Sequence, residues 1–165
     1  MNLVSLEDNL YICHTPSATG KATPAYSSIQ PLQNMGTPLN CILLIDDDEP
    51  TNFLNRLTLE QAGCARHIRI AQSGQEALDY LQDATPRPDL IFLDINMPAM
   101  DGWEFLERYR HLPAARKADI VLIMLTTSLN PDDEIRTLAI PEVAGFEHKP
   151  LGQEQLDVLL RKYFA

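Results

Sequence analysis

From residue 41 onward, short apolar runs alternate with amphipathic stretches, and four of the runs end on polar or charged groups. Asp46 and Asp47 follow Ile42-Leu43-Leu44-Ile45, Asp94 follows Leu90-Ile91-Phe92-Leu93, Thr126 follows the run from Val121 to Leu125, and Lys149 follows the run through Gly145 and Phe146. Continuous apolar runs of this length suit strands buried on both faces. A series of strand-helix units forces right-handed crossovers and a parallel sheet covered by helices on both sides. The polar ends of such strands meet on one edge, which is where open α/β sheets bind their ligands.

The pattern predicts strands over 41–46, 67–71, 89–94, 120–125 and 144–148. Helix one is predicted over 50–63, with Phe53, Leu54, Leu57 and Ala62 facing inward and Gly63 as its stop. Ser73 is placed to cap helix two, whose apolar face is Ala77, Leu78 and Leu81. Helix three is predicted over 102–111 on Phe105, Leu106 and Tyr109. Asn130 followed by Pro131, Asp132 and Asp133 marks the start of helix four, with a cap, a first-turn proline and acids facing the helix dipole. Helix five is predicted over 153–163.

A chain of 165 residues holds one domain with a full core and is short for two. Its formal charge of −10 lacks the basic stripe that phosphate backbones require, so direct nucleic-acid binding is not expected. Cys13, Cys41 and Cys64 are odd in number, widely spaced and without a Cys-x-x-Cys pair, which fits a reduced, cytoplasmic protein. The N-terminal stretch carries Glu7 and Asp8 and has no basic start, unlike a secretory signal. No apolar stretch approaches membrane-spanning length.

Residues 1–39 differ in character, being rich in Ser, Thr and Pro, and read as a disordered or loosely packed extension ahead of a domain over 40–165. The fragment ending in Gly20-Lys21 imitates a phosphate-binding loop, but Thr15 and Ala22 stand where that motif needs Gly and Ser or Thr. Met35, just ahead of the first strand, is a candidate functional start.

At the strand ends, Asp48 reads as a helix cap. Asp46 and Asp47 form a carboxylate pair of the kind that calls for a neighbouring cation. Mg²⁺, which takes one or two carboxylates and keeps waters for exchange with phosphate oxygens, suits such a pair. Asp94 opens the run Asp94-Ile95-Asn96-Met97-Pro98-Ala99-Met100-Asp101-Gly102. This run, with the acid pair before it and Thr126 and Lys149-Pro150 after it, closely resembles the receiver domain of two-component response regulators, the CheY-like family. The resemblance covers residues 41–165.

That resemblance implies a flavodoxin-like, doubly wound five-stranded parallel sheet of order 2-1-3-4-5 in three α/β/α layers. It implies that Asp94 accepts a phosphoryl group from a histidine kinase or a histidine phosphotransfer protein. Asp47, Asp94 and the backbone carbonyl of Asn96 would ligate Mg²⁺, with Asp46 acting through metal-bound water. Thr126 and Lys149 would bind the phosphoryl oxygens, and Phe146 would turn inward as the switch, changing the face made by helix four, strand five and helix five. Asn96 and Ser128 occupy positions that tune phosphoryl lifetime in the family. Thr127 stands where the family commonly has a smaller residue. Lys149-Pro150 matches a Lys-Pro that often carries a cis bond. His148 is expected to be exposed, and Trp103 to pack on helix three near the acidic edge.

The reading that follows is a stand-alone phosphoacceptor, not a multiple-turnover enzyme, that signals through a downstream protein, with homodimerisation left open. The alternative is a receiver-like binding module that works without phosphorylation. A hydrolase of the haloacid dehalogenase type is disfavoured, because Asn96 stands where its general-acid Asp is needed.

Overall fold

The structure, a computed structural model, describes residues 37–117, 121–127 and 130–164. The expected N-terminal extension and Met35 lie outside these residues, apart from positions 37–39, as does Ser128. Ten elements alternate along the chain. They are β1 Leu39–Ile45, α1 Glu49–Ala62, β2 Ala65–Ala71, α2 Gly74–Gln82, β3 Leu90–Asp94, α3 Gly102–Arg110, β4 Val121–Thr126, α4 Pro131–Leu138, β5 Val143–His148 and α5 Gln153–Phe164. All neighbouring strands pair in parallel, in the order β2-β1-β3-β4-β5, as the family resemblance implied.

The continuous apolar runs divide by the two-residue period of a strand. Leu43, Ile45, Ile91, Leu93, Leu122 and Met124 pack on one face with Ala77, Leu78 and Leu81 of α2 and Phe105, Leu106 and Tyr109 of α3. Ile42, Leu44, Leu90, Phe92, Ile123 and Leu125 pack on the other with Leu59 of α1 and Leu156, Leu159 and Leu160 of α5. Burial on both faces explains why the three central strands carry almost no polar residue before their last positions. β2 lies at the sheet edge, and its Arg66, His67 and Arg69 are exposed.

Helix boundaries follow the expected caps. Asp48 accepts from the Thr51 N–H at 2.8 Å, Ser73 Oγ accepts from the Glu76 N–H at 3.1 Å, and Asn130 Oδ1 accepts from the Asp132 N–H at 3.1 Å. Gly63 ends α1 with φ 59°, a conformation that glycine adopts without steric cost. One expectation fails. Phe53, Leu54 and Leu57 are exposed, and the inward face of α1 is Asn52, Asn55 and Leu59, with Ala62 partly buried beside them. Positions 52, 55, 59 and 62 form one helical stripe, while 53, 54 and 57 lie on the opposite side. Two buried asparagines hid the true face from a reading based on apolar residues alone.

Candidate functional site

The C-terminal ends of β1, β3, β4 and β5 share one edge of the sheet and bring the polar groups together. Asp94 is the last residue of β3 and Thr126 the last of β4; Asp46 follows β1 directly and Lys149 follows β5 directly. The strand register places Asp94 beside Leu125 and Thr126 beside His148, and the Lys149 N–H donates to the Thr126 carbonyl at 2.9 Å.

Asp46 and Asp94 are buried, with 3% and 5% of their surfaces exposed, whereas Asp47 is exposed. One carboxylate oxygen from each lies within 4.8 Å of the others. The Lys149 ammonium reaches into this group, 2.6 Å from Asp46 Oδ2 and 3.0 Å from Asp94 Oδ2. Burial pushes the Asp94 carboxyl above the ordinary carboxylate range. The neighbouring Lys149 opposes that shift, while Asp46 adds to it.

The remaining contacts fix Asp46 from all sides. Its N–H donates to the Ala71 carbonyl at 3.1 Å, its Oδ1 accepts from the Asp48 N–H at 3.0 Å, and its carbonyl accepts from Asn52 Nδ2 at 2.7 Å. The main chain at Asp46 is thus held at both its N–H and its carbonyl, while the carboxylate is oriented by one backbone N–H at Oδ1 and by Lys149 at Oδ2.

The loop after Asp94 folds back tightly. The Gly102 N–H donates to the Ile95 carbonyl at 2.9 Å, and a Cβ on Gly102 would lie 2.6 Å from the Asp94 carbonyl oxygen, so only glycine allows α3 to start so close to β3. Asp101 and Glu104 close a capping box at that start. Ala99 sits in the left-handed region at φ 65°. Asn96, two residues after Asp94, is exposed.

Phe146 is half-buried against the core, with its ring edge-on to His148 at 5.5 Å. His148 and Thr127 are exposed, and the Lys149-Pro150 bond is cis, as is Thr85-Pro86, which the sequence did not signal. Trp103 is half-buried at the start of α3, and the Arg136 guanidinium of α4 stacks over its ring at 4.0 Å. Cys41 and Cys64 are buried free thiols near the opposite end of the sheet, and burial raises the Cys64 thiol to about 11. They take no part in this edge. Asn52 and Asn55 are the site's neighbours that sequence reasoning missed. Their signal was their spacing, three apart and in phase with Leu59.

Sheet order and edge chemistry together define a CheY-like α/β protein. The chain belongs to the response regulator receiver domain family, whose model matches residues 42–161. It is 32% identical over 109 residues to the response regulator Rcp1 of Synechocystis, covering 63% of this chain and 73% of that protein. A two-component response regulator from Cytophaga hutchinsonii superposes with a TM-score of 0.71 at 30% identity, covering 76% of this chain and 97% of the other. The chemotaxis response regulator CheY4 of Vibrio cholerae gives 0.62 at 31% identity, covering 75% and 98%. Among the described residues no helix is long and apolar enough to cross a membrane.

Proposed function

We propose that the protein is a phosphoacceptor switch in which Asp94 takes a phosphoryl group from a phosphohistidine, borne by a sensor histidine kinase or a histidine phosphotransfer protein, and passes the signal to a protein partner. The observation that carries this reading is the buried Asp94 carboxylate, contacted by Lys149 and within reach of Asp46 and Asp47 at the sheet's C-terminal edge. Asp94 is the nucleophile. A P–O bond forms to its carboxylate as the donor's P–N bond breaks, and the electron pair leaves with the imidazole.

Three carboxylates, two of them buried and one open to solvent, are a donor set suited to a hard divalent cation. Asp46, Asp47 and Asp94, with the carbonyl of Asn96, would hold Mg²⁺. That ion supplies neutralisation of the charge on the phosphoryl oxygens. Lys149 supplies a second positive charge and Thr126 a hydroxyl donor to the same oxygens. Asn96 and Ser128 tune the lifetime of the acyl phosphate. Phe146, half-buried beside β4, is the group that follows Thr126 when it is drawn toward the phosphoryl, and the α4-β5-α5 face carries the change to the partner. Each transfer loads one phosphoryl group, and the protein is not a multiple-turnover enzyme.

Incubation of the wild type with Mg²⁺ and a small phosphodonor, followed by intact-mass measurement, is expected to add one phosphoryl group. Asp94→Asn is expected to add none. A wild type that gains no mass contradicts the proposal and favours a binding module that works without phosphorylation.

A further inference from the structure

The inward face of α1 is unusual for a helix laid on an apolar sheet. Asn52 and Asn55 are 3% and 1% exposed, one turn apart, and lie on the stripe that also carries Leu59. Asparagine is a poor helix former, and burying its amide costs stability unless every polar atom is paired. Here the pairing is only half complete: Asn52 Oδ1 and Asn55 Nδ2 have no hydrogen-bond partner among the described residues. Packing against the sheet would be served better by leucine or alanine.

What the two side chains do bond is informative. Asn52 Nδ2 donates to the backbone carbonyl of Asp46 at 2.7 Å, inside the loop that leaves β1. Asn55 Oδ1 accepts from the backbone N–H of Leu151 at 3.0 Å, a contact between residues 96 positions apart, inside the loop that leaves β5. The first loop carries Asp46 and Asp47, and the second carries Lys149. One rigid helix therefore grips both sides of the Lys149–Asp46 contact through its buried face. Main-chain bonds alone leave these points free: the Asp46 N–H is held by Ala71 and the Lys149 N–H is used by Thr126, but the Asp46 carbonyl and the Leu151 N–H are held by the asparagines.

We infer that Asn52 and Asn55 are positioning residues, a two-point brace on α1 that sets the acid pair against Lys149 and so fixes the geometry offered to the metal and the phosphoryl group. The inference rests on reading Asp46 and Asp47 as metal-holding residues. Groups that orient a metal's ligands without touching the metal typically change its affinity by about 10- to 100-fold when removed. A purely structural asparagine would change stability and leave metal affinity where it was.

The test is calorimetric titration of Mg²⁺ into the full-length wild type, Asn52→Ala, Asn55→Ala and the double variant. Urea denaturation of each without metal is run in parallel, and Leu54→Ala on the exposed side of α1 serves as control. The brace predicts a Mg²⁺ dissociation constant raised about tenfold or more in the double variant at a temperature where it is fully folded, with Leu54→Ala unchanged. If an alanine variant does not fold, the serine variant at the same position is read in the same way. Folded variants that bind Mg²⁺ as tightly as the wild type overturn the brace alone. A wild type that takes no Mg²⁺ overturns the metal reading of the site, and the brace with it.

Discussion

The Lys149 ammonium and Asp46 meet at 2.6 Å, closer than the 3.0 Å that separates the same ammonium from Asp94. The lysine therefore ties the ends of β5 and β1 together and leaves Asp94, between them, the less completely neutralised of the two buried carboxylates. In the proposed switch, that carboxylate is the one left to meet a cation and a phosphoryl group.

Asp94 illustrates the cost. Its carboxyl titrates above its ordinary value of 3.8 because burial disfavours the charged form. The folded state therefore binds more protons than the unfolded state between the two values, and the ionised group weakens the fold at neutral pH. Without metal, Asp94→Asn is expected to be more stable than the wild type at pH 7. The gap should close as pH falls through the raised Asp94 value and be gone below the ordinary one. Urea midpoints from pH 7 down to pH 3 check this, and Mg²⁺ should narrow the gap at pH 7 by binding the wild type more tightly.

Gly102 sets how closely α3 approaches Asp94. Gly102→Ala would press a methyl carbon against the Asp94 carbonyl oxygen and the Ile95 Cα, at 2.6 and 3.0 Å, and both are backbone atoms that cannot rotate away. A loss of about 1–3 kcal/mol in denaturant unfolding is expected, together with slower phosphoryl uptake because Asp94 itself is displaced.

The face of α1 gives a paired prediction. Phe53, 65% exposed, contributes little to the core, so Phe53→Ser should change stability by less than about 0.5 kcal/mol. Leu59, fully buried against the sheet, should cost about 2–5 kcal/mol when replaced by Ala. Equal losses would mean that the helix is seated on its other side.

These differences show where sequence patterning was informative. The continuous runs of β1, β3 and β4 suit doubly buried strands, so the sheet and the polar edge at its C-terminal end, from Asp46 to Lys149, were legible in the alternating pattern after residue 41. Asp48, Ser73 and Asn130 were legible as caps because a cap depends on local spacing. Strand order came from the family resemblance, since pairing between distant strands leaves no local trace. The seating of α1 was not legible, because its buried stripe carries Asn52 and Asn55 where hydrophobicity would be expected, and their partners at Asp46 and Leu151 are set by the tertiary fold. The stacking of Arg136 on Trp103 was hidden for the same reason.

That stack links α4 to the start of α3. Trp103 is the chain's single tryptophan, so its emission reports the contact without interference. Arg136→Ala is expected to cost about 0.5–1 kcal/mol and to change the Trp103 emission of the resting protein. If phosphorylation shifts α4, the wild-type emission should move toward that of Arg136→Ala, and it should not move in Asp94→Asn.

The proposed switch turns on whether Asp94 itself receives the phosphoryl group. Borohydride reduction of the phosphodonor-treated protein, followed by peptide mass mapping, tests it most directly, because an acyl phosphate on an aspartate is reduced to homoserine. Homoserine is expected at position 94, dependent on Mg²⁺ and absent when the donor is omitted. Homoserine at another acidic position, or an unmodified Asp94 under conditions that phosphorylate the protein elsewhere, would contradict it.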